Sequence, residues 1–262
     1  MGGEFNLSDY IERVYVIHMS DKTERMEVLE QELNKIIFKD GKSLKEHVEI
    51  VEAVNGRQLK REDDDITDQY YSVKYHNDIY THKVWNGVSD LDARLISVSE
   101  PEKGISHSHV KVWKQFLDSG AETAFIMEDD VRFKDGFLSS LKASVEEAGN
   151  DFDIIYLSLL PAGDSFEAKS HSEHLLRAKK GVWWLSGYII SRKYAQKLIS
   201  RLPVVGPVDL WINYQFDESN VFINPKRPVM QRQELTSSNE YSYWQHVRHF
   251  SNVFRGKRKK DI

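Results

Sequence analysis

Residues 124–130 read Ala124-Phe125-Ile126-Met127-Glu128-Asp129-Asp130, four apolar residues followed by three carboxylates. The apolar part, from Thr123 to Met127, has the pattern of a buried strand. Three consecutive carboxylates at the C-terminal end of an interior strand are costly, because they repel one another and lose hydration. In open α/β sheets, ligands bind outside the carboxyl ends of the strands, so these acids stand at the edge where ligands are met. A divalent cation would offset their cost, and hard oxygen ligands favour Mg²⁺ or Mn²⁺. The plainer alternative is a surface turn in which one acid caps the following helix.

The flanking sequence supports an α/β sheet. Arg13 to Met19 is a short run rich in β-branched residues and reads as a strand. Met26, Leu29, Leu33 and Ile36 or Ile37 then recur at helical spacing, with Asp21 and Glu24 as a capping signal. Val48 to Val54 reads as a second strand, closed by Asn55-Gly56. The chain thus opens β-α-β, the signature of a parallel sheet. Residues 57–98 break this rhythm and read as a long excursion, partly mobile, dense in Tyr, His and Trp from Tyr70 to Trp85. Regular pattern returns at Ser106, with Val110, Trp113 and Leu117 on one helical face and Gly120 as C-cap. After the acidic strand, Phe137, Leu141 and Val145 mark a helix that ends near Gly149. Asp153 to Leu159, Gly187 to Ile190 and Val221 to Asn224 read as further strands. Ser191 caps a helix carrying Ala195, Leu198, Ile199 and Leu202, and Pro207 opens another through Trp211.

Other acidic pairs are less telling. Asp63-Asp64-Asp65 and Asp90-Leu91-Asp92 sit in polar stretches with no strand before them, and Asp151-Phe152-Asp153 precedes its strand, at the wrong edge.

Composition excludes several classes. The chain has 262 residues, 40% of them hydrophobic, enough for a full core without staples. A net charge of −5 gives no general footprint for nucleic acid. With no cysteine there is no disulfide scaffold, thiolate zinc site or cysteine nucleophile. No apolar run approaches the ~18 residues of a membrane span. The N-terminus lacks a basic n-region and an apolar h-region, so a soluble, cytoplasmic chain is expected. Gly2 to Phe5 reads as vector-derived and is set aside from the fold.

In order along the chain, these blocks resemble glycosyltransferase family 25. Val14 to Met19 through Arg25 looks like that family's first strand and the Arg that follows it. Glu52-Ala53-Val54-Asn55-Gly56 looks like its E-A-V-D/N-G segment. Glu102, Gly104, Ser108, His109 and Trp113 fit its G-E-I-G-C-x-L-S-H-x-x-x-W motif, and Phe125 to Val131 resembles its acidic strand end. Asp153 to Leu157, Gly187 to Arg192 and Pro207-Val208-Asp209 fit three later blocks. His18 stands where the family usually has Asn, while Pro101, Lys103, Ile105 and His107 depart from its helix motif. The resemblance implies a GT-A type fold, a mainly parallel twisted sheet flanked by helices. It implies metal-dependent, inverting transfer of a sugar to a hydroxyl of a glycan, glycolipid or protein, most often galactose from UDP-galactose. On this reading residues 10–232 form one domain, with 57–98 on the acceptor side, and 233–262 a C-terminal extension.

Such a reaction needs charge neutralisation at the leaving diphosphate and a general base at the acceptor. Asp130 is the candidate for direct metal ligation by Mn²⁺ or Mg²⁺. Glu128 would face the metal, its water shell or the donor's ribose, and Asp129 would do either or serve structurally. Asp209, at a helix start, is the candidate base, where the helix dipole would stabilise its ionised form; a helix cap is the alternative. His109 and Arg25 are candidates for contact with the UDP-sugar, against a core histidine and a surface ion pair. Trp183-Trp184 offers a ring to stack on a sugar, or simply core. His246 and His249 have an i, i+3 spacing that one helix face would present to a metal. The basic tail from Arg255 would hold an anionic membrane surface, or be a solubilising end. Two other classes compete: a non-catalytic binding module on the same fold, and another Mg²⁺- or Mn²⁺-dependent phosphoryl or nucleotidyl enzyme. The absence of a G-x-x-x-x-G-K-[ST] loop removes the P-loop form of the latter.

Overall fold

A computed structural model describes residues 5–59, 70–232 and 241–258. The chain opens with β1 (Arg13–His18), α1 (Thr23–Asn34) and β2 (Val48–Glu52). Next come β3 (Tyr70–Ser72), α2 (Val73–Ile79), β4 (Leu95–Ser97) and α3 (Glu100–Asp118). The acidic strand is β5 (Thr123–Glu128), followed by β6 (Val131–Phe133), α4 (Phe137–Ala148) and β7 (Ile154–Tyr156). Four short strands follow: β8 (Leu160–Pro161), β9 (Glu167–Ser170), β10 (Leu176–Lys180) and β11 (Val182–Trp183). The chain then forms β12 (Gly187–Ser191), α5 (Arg192–Ser200), α6 (Val208–Asn213), β13 (Val221–Ile223), β14 (Val229–Gln231) and α7 (Ser242–Arg258).

Eight strands make the central sheet, in the order β2-β1-β5-β12-β7-β13-β10-β9. β2, β1 and β5 pair in parallel, as do β7 and β13, while β12 and β10 run against their neighbours. Six of the eight strands therefore share one direction. The alternation of buried residues along β1 explains the layering. Val14 and Val16 meet Leu29 and Leu33 of α1 and Phe137 and Leu141 of α4 on one face. Tyr15 and Ile17 join Trp113 and Phe116 of α3 and Leu198 of α5 on the other. Parallel strands covered on both faces read as continuous apolar runs, which is how β1 and β5 were legible.

Several sequence expectations change. The helix predicted from Ser106 begins at Glu100, because Ser99 and Glu102 form a capping box and Pro101 occupies the first turn. The cap expected from Asp21 is absent; Lys22 precedes α1 and no side chain caps it. The strand at Asp153–Leu159 shortens to β7. Phe5, set aside above, is buried against Tyr10 and Phe38 in the α1-side core. Residues 70–98 build a third core with α7: Tyr71, Ile79, Trp85 and Ile96 pack with Tyr243, Val247 and Phe250. Trp85 Nε1 donates to Tyr243 Oη at 2.9 Å, and the His76 and Tyr243 rings stack with centroids 3.4 Å apart. Among the described residues, no helix is long and apolar enough to cross a membrane.

Two glycines fix where α3 lies. A Cβ at Gly104 would stand 2.6 Å from Val54 O, and one at Gly56 1.7 Å from Glu100 O. The loop after β2 thus touches the helix backbone directly, and Ser108 Oγ accepts Val54 N–H at 2.8 Å. Gly104→Ala is expected to cost about 1–3 kcal/mol through overpacking. An unchanged urea midpoint for that variant would show that this contact does not hold the helix.

Candidate active site

Parallel pairing of β2, β1 and β5 brings the ends of three strands together, with His18 on β1, the 53–57 loop after β2, and Glu128 on β5. They border a cleft of ≈ 640 Å³ that also takes in Arg25, Arg57, Ile105, Asp129, Asp130 and Gln231. A cleft of this size suits a ligand of nucleotide scale.

The cost of three adjacent acids, for which a cation was expected, is met here by the protein's own donors. Arg25 Nη2 lies 2.8 Å from Asp129 Oδ1 and 3.2 Å from Asp130 Oδ2. His18 Nδ1 lies 2.7 Å from Asp129 Oδ2, and Gln231 Nε2 donates to Asp130 Oδ2 at 3.0 Å. Asp130 Oδ1 is buried without a partner among the described residues. Burial, and then the charge of Glu128, push the Asp130 carboxyl up to about 7. Burial also raises Asp129, against the pull of Arg25 and His18. Glu128 moves the other way: burial opposes its ionisation, but His109, with Ser186 and Arg25 behind it, outweighs burial and lowers its carboxyl. Among the described residues, no three His, Asp or Glu side chains form a ready-made metal cage.

His109 is fully buried on α3, with Nε2 standing 3.5 Å from Glu128 Oε1. Its Nδ1 lies 3.0 Å from Tyr188 Oη, to which Trp113 Nε1 donates at 2.8 Å. The indole N–H is donor only, so Tyr188 accepts it. The phenol O–H is then free to donate to His109 Nδ1, an arrangement that in the neutral ring places the proton on Nε2, which faces Glu128 at 3.5 Å without a hydrogen bond to it. His109 therefore meets the acid cluster through Glu128. Tyr188→Phe leaves two buried nitrogens without their partner and is expected to cost about 1–3 kcal/mol. Denaturation measures that loss. Side-chain ¹⁵N spectra that place the wild-type proton on Nδ1 would contradict the assignment.

Asp209 lies in the first turn of α6, half-buried and outside the cleft lining. Burial pushes its carboxyl up to about 7; the Trp184 N–H it accepts opposes this, and Glu102 and Glu128 reinforce it. The helix start was expected to stabilise the charged form, and burial prevails over that dipole. Trp184 itself has φ 71°, a left-handed conformation rare for a large side chain. Trp183 packs on His76 and Tyr241, so it belongs to the aromatic core. His246 lies against Trp85, with ring centroids 5.9 Å apart. Asp90 pairs with Arg94, and Asp153 accepts Asn220 N–H at the far edge of the sheet. Asp63-Asp64-Asp65 and the basic tail's side chains fall outside the described residues.

Sequence reasoning missed His18 as an acid partner, although it ends β1 beside β5 and the strand-end rule points to it. Nothing in the sequence marks Gln231, and Tyr188 stands there only as part of the Gly187 to Arg192 block, with no sign that it meets His109.

The fold and this site define an α/β protein with a ligand cleft at the carboxyl edge of its sheet. The chain belongs to glycosyltransferase family 25: the family model described as "Glycosyltransferase family 25 (LPS biosynthesis protein)" matches residues 11–212. It is 28% identical over 220 residues to procollagen galactosyltransferase 1 of Danio rerio, covering 80% of this chain and 32% of that protein. It is 30% identical over 146 residues to human procollagen galactosyltransferase 2, covering 53% of this chain and 22% of that protein. A Bos taurus relative named a probable inactive glycosyltransferase 25 family member 3 is 30% identical over 128 residues, 47% of this chain and 21% of that protein. The chain thus spans a third or less of these relatives' own length.

Proposed function

We propose that the chain transfers a sugar from a nucleoside diphosphate donor, UDP-galactose before others, to a hydroxyl of a glycan, glycolipid or protein, with inversion at the anomeric carbon. The observation that carries this reading is the Glu128-Asp129-Asp130 strand end opening on a nucleotide-sized cleft. Family membership supports the reaction class, and the named activity of the procollagen relatives supports galactose. The intact acid cluster weighs against a purely binding role.

The donor set suits a divalent cation that takes its remaining ligands from substrate and water. Asp130 has a buried oxygen without a partner, and Glu128 is partly exposed at the cleft. Asp130 and Glu128 would hold Mn²⁺ or Mg²⁺, which when bound would neutralise charge on a leaving diphosphate as a Lewis acid. Asp209, which is not one of those ligands, takes the proton of the acceptor hydroxyl as the hydroxyl oxygen attacks the anomeric carbon and the C–O bond to the diphosphate breaks.

The test is UDP release from UDP-galactose with Mn²⁺ and an acceptor panel. Turnover is expected with Mn²⁺ and lost in EDTA. Undiminished activity in metal-free buffer would remove the metal from the account, and turnover of ATP in place of UDP-galactose would favour a phosphoryl enzyme.

A further inference from the structure

Arg25 holds the acid cluster with one end of its fork. Nη2 stands 2.8 Å from Asp129 and 3.2 Å from Asp130, while Nε is buried with no acceptor among the described residues. Its side chain is a quarter exposed and borders the cleft, whereas the two acids beneath it are almost wholly buried. The remaining oxygens are not equal. Asp129 Oδ2 belongs to His18, and Asp130 Oδ2 is shared with Gln231, which leaves Asp130 Oδ1 alone and buried. A cation that used this oxygen would sit beside a guanidinium bound to the same carboxylate, and like charges at that range repel strongly in a partly buried site.

We infer that Arg25 is the resident counter-ion of Asp129 and Asp130, which a divalent cation displaces and a donor diphosphate draws away, so that metal and nucleoside diphosphate bind as a coupled pair. The inference rests on the metal-dependent donor reading above. A guanidinium matches phosphate oxygens as well as carboxylate, so its release from Asp130 and its capture by diphosphate are one movement. By linkage, UDP must raise Mn²⁺ affinity by the same factor as Mn²⁺ raises UDP affinity. A merely structural Arg25 carries the opposite expectation, since losing it would loosen the acids and leave Mn²⁺ binding unchanged or weaker.

The experiment is Mn²⁺ titration followed by electron paramagnetic resonance, with and without UDP, on the full chain and on Arg25→Gln and Arg25→Lys. Wild type is expected to bind Mn²⁺ weakly alone and at least roughly fivefold more tightly with UDP. Arg25→Gln is expected to bind Mn²⁺ alone roughly tenfold more tightly than wild type, with a smaller gain from UDP. Arg25→Lys, which keeps the charge, should stay close to wild type without UDP. If Arg25→Gln gains nothing while wild type binds Mn²⁺ with UDP, the counter-ion role is overturned and the donor site stands. Equal Mn²⁺ affinity of wild type with and without UDP overturns it as well, whether or not the variants fold. No Mn²⁺ binding under either condition overturns both this inference and the metal-dependent reading.

Discussion

Replacing Asp130 by Asn is expected to lower sugar transfer by about 10²–10³-fold, the scale of losing one preorganised charge-stabilising group. The fold should survive. The carboxamide oxygen can still accept from Gln231, which now donates to Asp130 Oδ2 with Arg25 Nη2 3.2 Å from the same oxygen. Burial already favours the uncharged carboxyl at this position, so a neutral side chain of the same shape suits the site. What the substitution removes is the charge and the free oxygen offered to a cation. Transfer rates beside thermal melts separate the two effects. A variant with normal melting and normal turnover would mean that the strand-end acids are structural.

Asp209→Asn should reduce the transfer rate by ~10²–10⁴-fold, the usual contribution of a general base. UDP affinity in Mn²⁺ should change by less than roughly tenfold, or ~1.4 kcal/mol. The pH profile gives a second readout. As the proposed base, Asp209 would act only when ionised, and burial with the nearby charges of Glu102 and Glu128 brings its carboxyl up to about 7. Wild-type transfer should therefore climb as pH rises through about 7 and level off above it. Below that range the carboxyl is protonated and the rate falls. Asp130 titrates in the same range, so the profile is read at saturating Mn²⁺, which would hold Asp130 ionised; there the Asn variant should lack this rising limb. Loss of UDP binding with turnover intact at saturating donor would move Asp209 to the donor site. Unfolding would instead mark it as a structural partner of Trp184.

The sheet was legible where its strands are buried on both faces. β1, β5 and β12 declare themselves as apolar runs, and Glu128 to Asp130 stands out because charge follows such a run. The hairpin of β9 and β10 was not legible. β9 (Glu167–Ser170) is the edge strand and β10 (Leu176–Lys180) lies beside it; both carry lysines, which protect an edge from pairing but hide the strand pattern. The early start of α3 was readable in Ser99 and Glu102. Much of the wiring behind the acids was not, because Gln231 meets Asp130 from 101 residues away and Tyr188 meets His109 from 79. Periodicity carries no record of contacts that distant. The third core was hidden for the same reason: residues 70–98 show no clean period, and although Tyr243, Val247 and Phe250 recur at helical spacing, that spacing does not say which segment covers them.

The central claim is that the carboxylates ending β5 build a metal-assisted site for a nucleoside diphosphate, separate from Asp209. Calorimetric titration of UDP in Mn²⁺ into wild type, Asp130→Asn and Asp209→Asn tests it directly. UDP should bind wild type and Asp209→Asn with similar affinity and bind Asp130→Asn far more weakly. Binding to Asp130→Asn as tight as to wild type would contradict the account.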